Sequence, residues 1–339
     1  MLYKESGVNI DDAYRGIEGI KNELGENFGS FAGLFRLDSV IKDYKKPILV
    51  SSTDGVGTKV MLLKKYERYR TLAQDLVAMN LNDLVCLGAK PLFFLDYYST
   101  GKLNQKNFKE FLKHLVDILK ENDCKLLGGE TAELPGLMQS DLFDIAGFVV
   151  GVVDEDNLLG KFKVKEGDSL LALPSSGIHA NGFSLIRKLI DERKIDVEMR
   201  IDGEKLIDKI LEPTRIYSKL VINILKKFEI HACAHITGGG IVDNISRVVP
   251  KNMVAVIEKN SWNIPNLFKI IQKAGNIPES EIYRVFNMGV GFVMIIPQKI
   301  EEKLKDYLRK LGEDSFIIGR IEKVNDSKKY EENNRVWLR

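Results

Sequence analysis

The spacing of apolar positions changes several times along the chain, and each change predicts an element. Ile48-Leu49-Val50-Ser51-Ser52 is a short, mainly apolar run after Pro47, closed by a glycine-rich turn, and reads as a buried strand over 48–52. Leu72, Leu76, Met79 and Leu84 recur at helical spacing. With Thr71 placed to cap the start and Gly88 to end it, they predict a helix over 71–88. Residues 92–98 are aromatic and strand-like. From Asn104 to Lys120, Phe108, Phe111, Leu112, Leu115 and Leu119 form one helical stripe. Strands follow near 124–128 and 143–153.

The stretch Asp154–Asp168 is charged and carries Gly160 and Gly167, so a domain boundary is placed there, giving 1–155 and 156–339. A chain of 339 residues accommodates two domains of ordinary size. The second half starts with a strand over 169–173, then a loop Pro174–Gly182 and a helix through about Glu192. A further helix is predicted from Pro213, a natural first-turn residue, with Ile216, Leu220, Ile224 and Phe228 on one face. Strands are predicted near 231–236, 253–258, 290–296 and 315–322, with helices near 240–248, 265–274 and 299–311. Neither half alternates strand and helix strictly, so the predicted class is α+β. The polar tail from about Asn325 is the candidate for disorder.

Composition narrows the classes of partner. Hydrophobic residues make up 44% and charged residues 29%, the balance of a soluble globular protein with a core. Fifty basic against 48 acidic side chains leave a formal charge of +2. That near-balance argues against nucleic acid or a membrane surface as the main partner. Cys86, Cys124 and Cys233 are odd in number and lie in apolar contexts, as buried thiols of a cytoplasmic protein do. No apolar run approaches the length that spans a bilayer.

Candidate chemistry begins at Thr53-Asp54-Gly55-Val56-Gly57-Thr58-Lys59. Gly55 and Gly57 let backbone N–H groups approach an anion, Lys59 adds positive charge, and Asp54 is placed to hold Mg²⁺ against phosphate oxygens. A tight hairpin whose glycines supply positive φ explains the motif equally well. On the helix over 71–88, Asp75 and Asn82 are seven residues apart and face the same way, with Asp83 next. Asp75 reads as a capping or solvated residue, and Asn82-Asp83 as metal or phosphate ligands. Asp96 sits among Phe93, Phe94, Leu95, Tyr97 and Tyr98, and a buried carboxylate there needs a cation, a metal or donors. Gly128-Gly129-Glu130-Thr131 adds a further strand-end acid. Asp54, Asp83, Asp96 and Glu130 together offer the oxygen donors that Mg²⁺ prefers.

The second half carries neutral loops instead. Ser175-Ser176-Gly177-Ile178-His179-Ala180-Asn181-Gly182 links a strand to a helix start, where hydroxyls and backbone N–H groups can meet an anion. A helix cap with a surface histidine is the alternative. Thr237-Gly238-Gly239-Gly240 repeats this logic, and Phe286-Asn287-Met288-Gly289-Val290-Gly291 adds a third glycine pair. His231, Cys233 and His235 share one strand face, but no fourth ligand accompanies them for a structural zinc site, so packing explains them better.

This set resembles the aminoimidazole ribonucleotide synthetase, or phosphoribosylformylglycinamidine cyclo-ligase, family. The resemblance covers nearly the whole chain: Tyr3–Asp11, Asp54–Lys59, Asn82-Asp83, Pro91–Gly101, Gly128–Gly136, Ser175–Gly182, Pro213–Tyr217, Thr237–Gly240 and Phe286–Gly291, in that order. Ser30 and Ala32 stand where the family often carries glycine, and Met288 where some relatives carry cysteine. The resemblance implies ATP and Mg²⁺ as cofactors, formylglycinamidine ribonucleotide as substrate, and ring closure to aminoimidazole ribonucleotide with release of ADP and phosphate in purine biosynthesis. It also implies a homodimer in which strands of the first domain close a barrel, with an α+β sandwich as the second domain. It places Lys4, Lys59 and His179 among the catalytic groups, and Asp54, Gly55, Gly57, Thr58, Gly128, Gly129 and Thr131 around ATP. Ser175, Ser176, Asn181, Thr237, Gly238 and Gly239 are implied at the ribonucleotide. Two rivals remain at this point: a small-molecule kinase on the same scaffold, and a non-catalytic nucleotide-binding module.

Overall fold

The computed structural model describes residues 31–324 and 335–339. Lys4, the segment 3–11 and Ser30 therefore lie outside the described residues. The chain divides into two compact units, one of them the described residues up to Leu84 with Ala89–Asn157, the other Val85–Gly88 with the chain from Leu158 onward.

In the first unit a helical turn at Asp38–Ile41 precedes β1 (Pro47–Gly55), α1 (Lys59–Lys65), α2 (Tyr69–Val85), β2 (Lys90–Thr100), α3 (Gln105–Glu121), β3 (Lys125–Glu133) and β4 (Phe143–Asp154). The sheet order is β1-β4-β2-β3. Its β1·β4 and β2·β4 pairs are antiparallel, and β2·β3 is parallel with α3 as the crossover. The predicted stripe makes α3 what it is: Phe108, Phe111, Leu112, Leu115 and Leu119 are all buried. Its first turn is held by Asn104, whose side chain accepts from the Asn107 N–H at 3.1 Å, a cap worth about 1 kcal/mol. Tyr98 of β2 meets Phe108 edge-on at 4.9 Å between centroids, fixing α3 on the sheet.

Helix α2 departs from the amphipathic expectation. Leu72, Leu76, Val77, Ala78, Leu81 and Leu84 are buried, and so are Asp75, Asn80 and Asn82. The solvated reading of Asp75 is corrected: its Oδ2 lies 2.7 Å from Lys59 Nζ, and neither side chain is accessible. A charge removed from water on a central helix persists only with such a partner. The helix starts at Tyr69 rather than Thr71. Gly88 ends it as predicted, at φ 81°, with its N–H on the Val85 carbonyl at 2.8 Å.

The second unit contains β5 (Ser169–Pro174), α4 (Phe183–Asp191), a short hairpin of β6 (Arg200–Ile201) and β7 (Glu204–Lys205), α5 (Leu206–Ile210), α6 (Ser218–Leu225), β8 (Ala232–His235) and α7 (Gly240–Ser246). It continues with β9 (Met253–Ile257), α8 (Asn266–Gly275), α9 (Glu279–Val285), β10 (Val290–Ile296), α10 (Glu301–Lys310), β11 (Phe316–Lys323) and β12 (Val336–Leu338). The six-stranded order is β12-β9-β11-β5-β10-β8. Every residue of β10 is buried. Leu171, Leu173, Phe292 and Met294 pack on one face of the sheet with Val221 and Ile224 of α6 and Leu304 and Leu308 of α10. Each such side chain contributes roughly 1.5–3 kcal/mol relative to exposure.

Three expectations change here. No helix starts at Pro213, because Ser176 Oγ donates to the Pro213 carbonyl at 2.6 Å and Tyr217 OH to the Pro174 carbonyl at 2.7 Å. Those bonds hold 213–217 against the loop after β5, and α6 begins only at Ser218. The hairpin, α5 and α9 are additional elements. Beyond residues 325–334, which lie outside the described residues, Val336–Leu338 is ordered as a strand parallel to β9, so the polar tail is not disordered throughout. The α+β class stands, since both sheets mix strand directions.

Candidate active site

β1 runs past its predicted end, so Asp54 and Gly55 lie on the strand and the turn begins at Val56. Likewise β3 runs through Glu133, which places Gly128, Gly129, Glu130 and Thr131 on a strand rather than in a loop. Register then decides which of the candidate acids meet. Asp54 is opposite Gly147, Gly147 opposite Asp96, and Asp96 opposite Gly129. Residues directly opposite one another share a sheet face, so Asp54 and Asp96 point the same way, two strand spacings or roughly 9–10 Å apart. Both neighbours of Asp96 in this row are glycines. A Cβ at Gly129 would collide with the Asp96 carboxylate, which occupies the space above it.

Glu130 is one residue further, opposite Tyr97, and so belongs to the other face. The structure brings Asp54 and Asp96 together and leaves Glu130 apart. Asp83 stands half-buried on the last turns of α2. Among the described residues no three His, Cys, Asp or Glu side chains form a group that could hold a metal ion.

Asp96 has a carboxyl perturbed by its surroundings. It is 8% exposed, and burial pushes its carboxyl up to about 7, opposed in part by its own backbone N–H. Asp54 is half-buried, and its carboxylate accepts from the Gly55 N–H at 2.8 Å. Gly55 is required because a Cβ would lie 2.8 Å from the Ile145 carbonyl oxygen; Gly57 is open to solvent and adopts φ 61°. Thr58 is exposed at the start of α1. Lys59 points inward to Asp75 instead.

In the second unit the three glycine segments come together. Ser175 donates its N–H to the Gly289 carbonyl at 3.0 Å and its hydroxyl to Asn287 Oδ1 at 3.1 Å. A Cβ on Gly238 would lie 3.3 Å from Asn181 Oδ1, so the 175–182 and 237–240 loops touch. Gly182 and Gly239, both left-handed, precede α4 and α7. The Asn181 amide nitrogen is buried and has no hydrogen-bond partner among the described residues. His179 is not a surface residue: it is buried, at φ 66°. Its Nε2 accepts from the Ser176 N–H at 3.2 Å, which closes the loop on itself. His231, Cys233 and His235 are packed as predicted, and His231 Nδ1 lies 2.6 Å from Asp168 Oδ2.

Sequence reasoning assigned no role to Asn80, Asn244 or Asn287. Each is a buried amide in an apolar setting, and that mismatch is the signal that could have marked them.

The fold and these sites define the class. Residues 37–153 match the AIR synthase related N-terminal domain and 165–330 the AIR synthase related C-terminal domain. The chain belongs to the AIR synthase related family. It is 42% identical to a phosphoribosylformylglycinamidine cyclo-ligase of Syntrophus aciditrophicus over 337 residues, covering 96% of each chain. To the protein of that name in Thermoanaerobacter pseudethanolicus it is 45% identical, covering 95% of this chain and 97% of the other. Among solved structures it resembles a thiamine-monophosphate kinase of Stenotrophomonas maltophilia at TM-score 0.67 and 17% identity, with 95% of each chain covered. At that identity the likeness shows the fold alone.

Proposed function

We infer that this protein is an ATP-dependent ligase that cyclises formylglycinamidine ribonucleotide to aminoimidazole ribonucleotide, releasing ADP and phosphate. The observation that carries this is the identity of 42–45%, spread over nearly the whole of this chain and of its cyclo-ligase relatives. A structural neighbour with the same two-domain fold is a hydrogenase maturation protein described in complex with ATP.

The chemistry requires an amide oxygen to become a leaving group. Phosphorylation of the formyl oxygen does this, and attack by the amidine nitrogen at the same carbon then closes the ring and expels phosphate. The protein's task is positioning and charge neutralisation. We assign the nucleotide to domain 1–155, around Asp54, Gly55, Gly57, Thr58, Gly128, Gly129 and Thr131. Asp54 and Asp96, which share one sheet face, would contact Mg²⁺, with Asp83 a further candidate that is not grouped with them among the described residues. The donor set fits a hard cation: a buried carboxyl with a raised pKa, and no Lys or Arg paired with it among the described residues. When bound, the ion would neutralise phosphate charge. Glu130 would act from the opposite sheet face. The loops of domain 156–339, with Ser175, Ser176, Asn181, Thr237, Gly238 and Gly239, would take the ribonucleotide. There His179 shapes the loop, and Lys4 and Lys59 remain candidates to balance developing charge.

The protein is proposed to act as a cytoplasmic homodimer. The face of the first sheet opposite Asp96 carries Phe148 and Tyr97, 38% and 43% exposed, with Leu95 directly across from Phe148. An apolar sheet face of this kind suits pairing with a second copy as a barrel. No helix among the described residues is long and apolar enough to cross a membrane.

The test is phosphate release from ATP by the purified protein with each acceptor in turn. Release with formylglycinamidine ribonucleotide and not with thiamine phosphate is expected. ADP formed with a phosphate or hydroxyl acceptor, without release of free phosphate, would favour the kinase reading, and tight ATP binding without turnover the regulatory one.

A further inference from the structure

The end of β1 in the first unit and two loops in the second are each gripped by a buried asparagine. Asn80 of α2 accepts the Asp54 N–H at 3.1 Å and donates to the Asp54 carbonyl at 3.1 Å and the Leu76 carbonyl at 2.9 Å. Among the described residues β1 is an edge strand, and Asn80 offers Asp54 the donor and acceptor that a neighbouring strand would supply. Asn244 of α7 donates to the carbonyls of Thr237, Gly238 and Gly240 at 3.3, 3.2 and 2.8 Å, and accepts the Thr237 hydroxyl at 3.3 Å. Asn287 accepts from Ser175 Oγ at 3.1 Å and the Gly289 N–H at 2.9 Å. It donates to the carbonyls of Gly177 and Ile178 at 2.9 and 3.2 Å. None of the three is more than 3% exposed.

The physical need is specific to such loops. Glycine-rich segments lose the most conformational entropy when ordered and have few side chains to pack. A loop lowers a barrier or binds an anion well only if its donors are already aimed before the ligand arrives. The primary amide carries one C=O and one NH₂ on a short stem, so it copies a peptide group and can hold a loop by its backbone. Burial keeps water from competing.

We infer that Asn80, Asn244 and Asn287 are positioning residues for the reaction. Asn80 holds the nucleotide side in its binding form, and Asn244 and Asn287 hold the ribonucleotide side. The division by ligand rests on the allocation of loops under Proposed function.

Steady-state kinetics on the full-length alanine variants, varying each substrate in turn, with thermal melts to measure the folded fraction, test this. Asn80→Ala is expected to raise KM for ATP roughly tenfold or more while KM for the ribonucleotide stays within about twofold. Asn244→Ala and Asn287→Ala are expected to do the reverse. A lowered melting temperature with both KM values unchanged would show purely structural asparagines and overturn the inference. The reversed pattern, Asn80→Ala acting on the ribonucleotide, would leave positioning intact and overturn the allocation of loops instead. Where an alanine variant does not fold, the serine variant at that position enters the same assay under the same criteria.

Discussion

The first unit carries three of its four candidate acids on strands, Asp54, Asp96 and Glu130; the second carries uncharged candidate groups on loops. The difference decides how each site is assembled. On strands, register rules: one step along β3 separates Gly129, opposite Asp96, from Glu130, opposite Tyr97 on the other face. In loops, hydrogen bonds rule: Asn287 fastens a segment more than 100 residues away, and Asn244 fastens the glycine loop that leads into its own helix. A strand-borne carboxylate site also has an energetic cost when empty. Burial holds Asp96 near 7, whereas the loops satisfy most of their polar groups among themselves and leave the Asn181 amide nitrogen over.

The sharpest way to break this contrast is Asp96→Asn. Turnover is expected to fall about 10²–10³-fold or more, as for other lost electrostatic contacts, measured as phosphate release. The ligand-free variant is expected to melt several degrees above the parent at pH 8. The sign follows from linkage. A carboxyl raised above its unfolded value favours the fold below pH 4 and loses that contribution as pH rises through about 7. Asparagine has no proton to lose. A variant that is inactive and also less stable would mean that Asp96 has a structural partner.

Next in size is the Lys59–Asp75 pair. Lys59→Met or Asp75→Asn alone leaves a buried charge and is expected to cost about 3–5 kcal/mol, read from denaturant unfolding. The double variant Lys59→Met/Asp75→Leu is expected to recover most of that loss. If its turnover also recovers, Lys59 holds the fold of α1 against α2; if it folds without turnover, Lys59 acts in the reaction.

In the second unit His179→Ala is expected to raise KM for the ribonucleotide by about tenfold with a smaller change in kcat, because the loop loses the acceptor for the Ser176 N–H. Weakened ATP binding with unchanged ribonucleotide affinity would reverse the roles of the two units.

The smallest effect concerns His231. Hydrogen bonding to Asp168 raises its pKa above the ordinary value, with burial opposing and Glu229 adding support. That stabilisation is complete below about pH 6.5 and is lost as pH rises through the elevated value. A melting curve followed from pH 6 to 9 should decline by a few degrees, and His231→Gln should flatten it. An unchanged slope would place the pH dependence elsewhere.

Much of this architecture was legible beforehand. The stripe of α3 and the stop at Gly88 depend on local periodicity and local backbone freedom, and both formed where predicted. The α+β class followed from irregular alternation. The extension of β1 and β3 through their glycines was not legible, because pairing with β4 and β2 overrode the local turn preference. The helix start predicted at Pro213 failed for the same kind of reason, as the Ser176 and Tyr217 hydroxyls bind across the chain. Asp75 looked solvated because a helix with polar residues suggests an exposed face; its partner lies sixteen residues upstream.

What the sequence determined by itself was the inventory: two domains' worth of apolar periodicity, a family-specific order of glycine and acid motifs, and residue types suited to phosphate and a hard cation. These depend on neighbours within a few positions or on motif identity. The tertiary structure alone decided which of those residues meet. Asp54 joined Asp96 and Glu130 did not, Lys59 turned inward to Asp75, and three asparagines became the holders of loops. Such pairings depend on strand register and on hydrogen bonds between distant segments, and no local pattern encodes either.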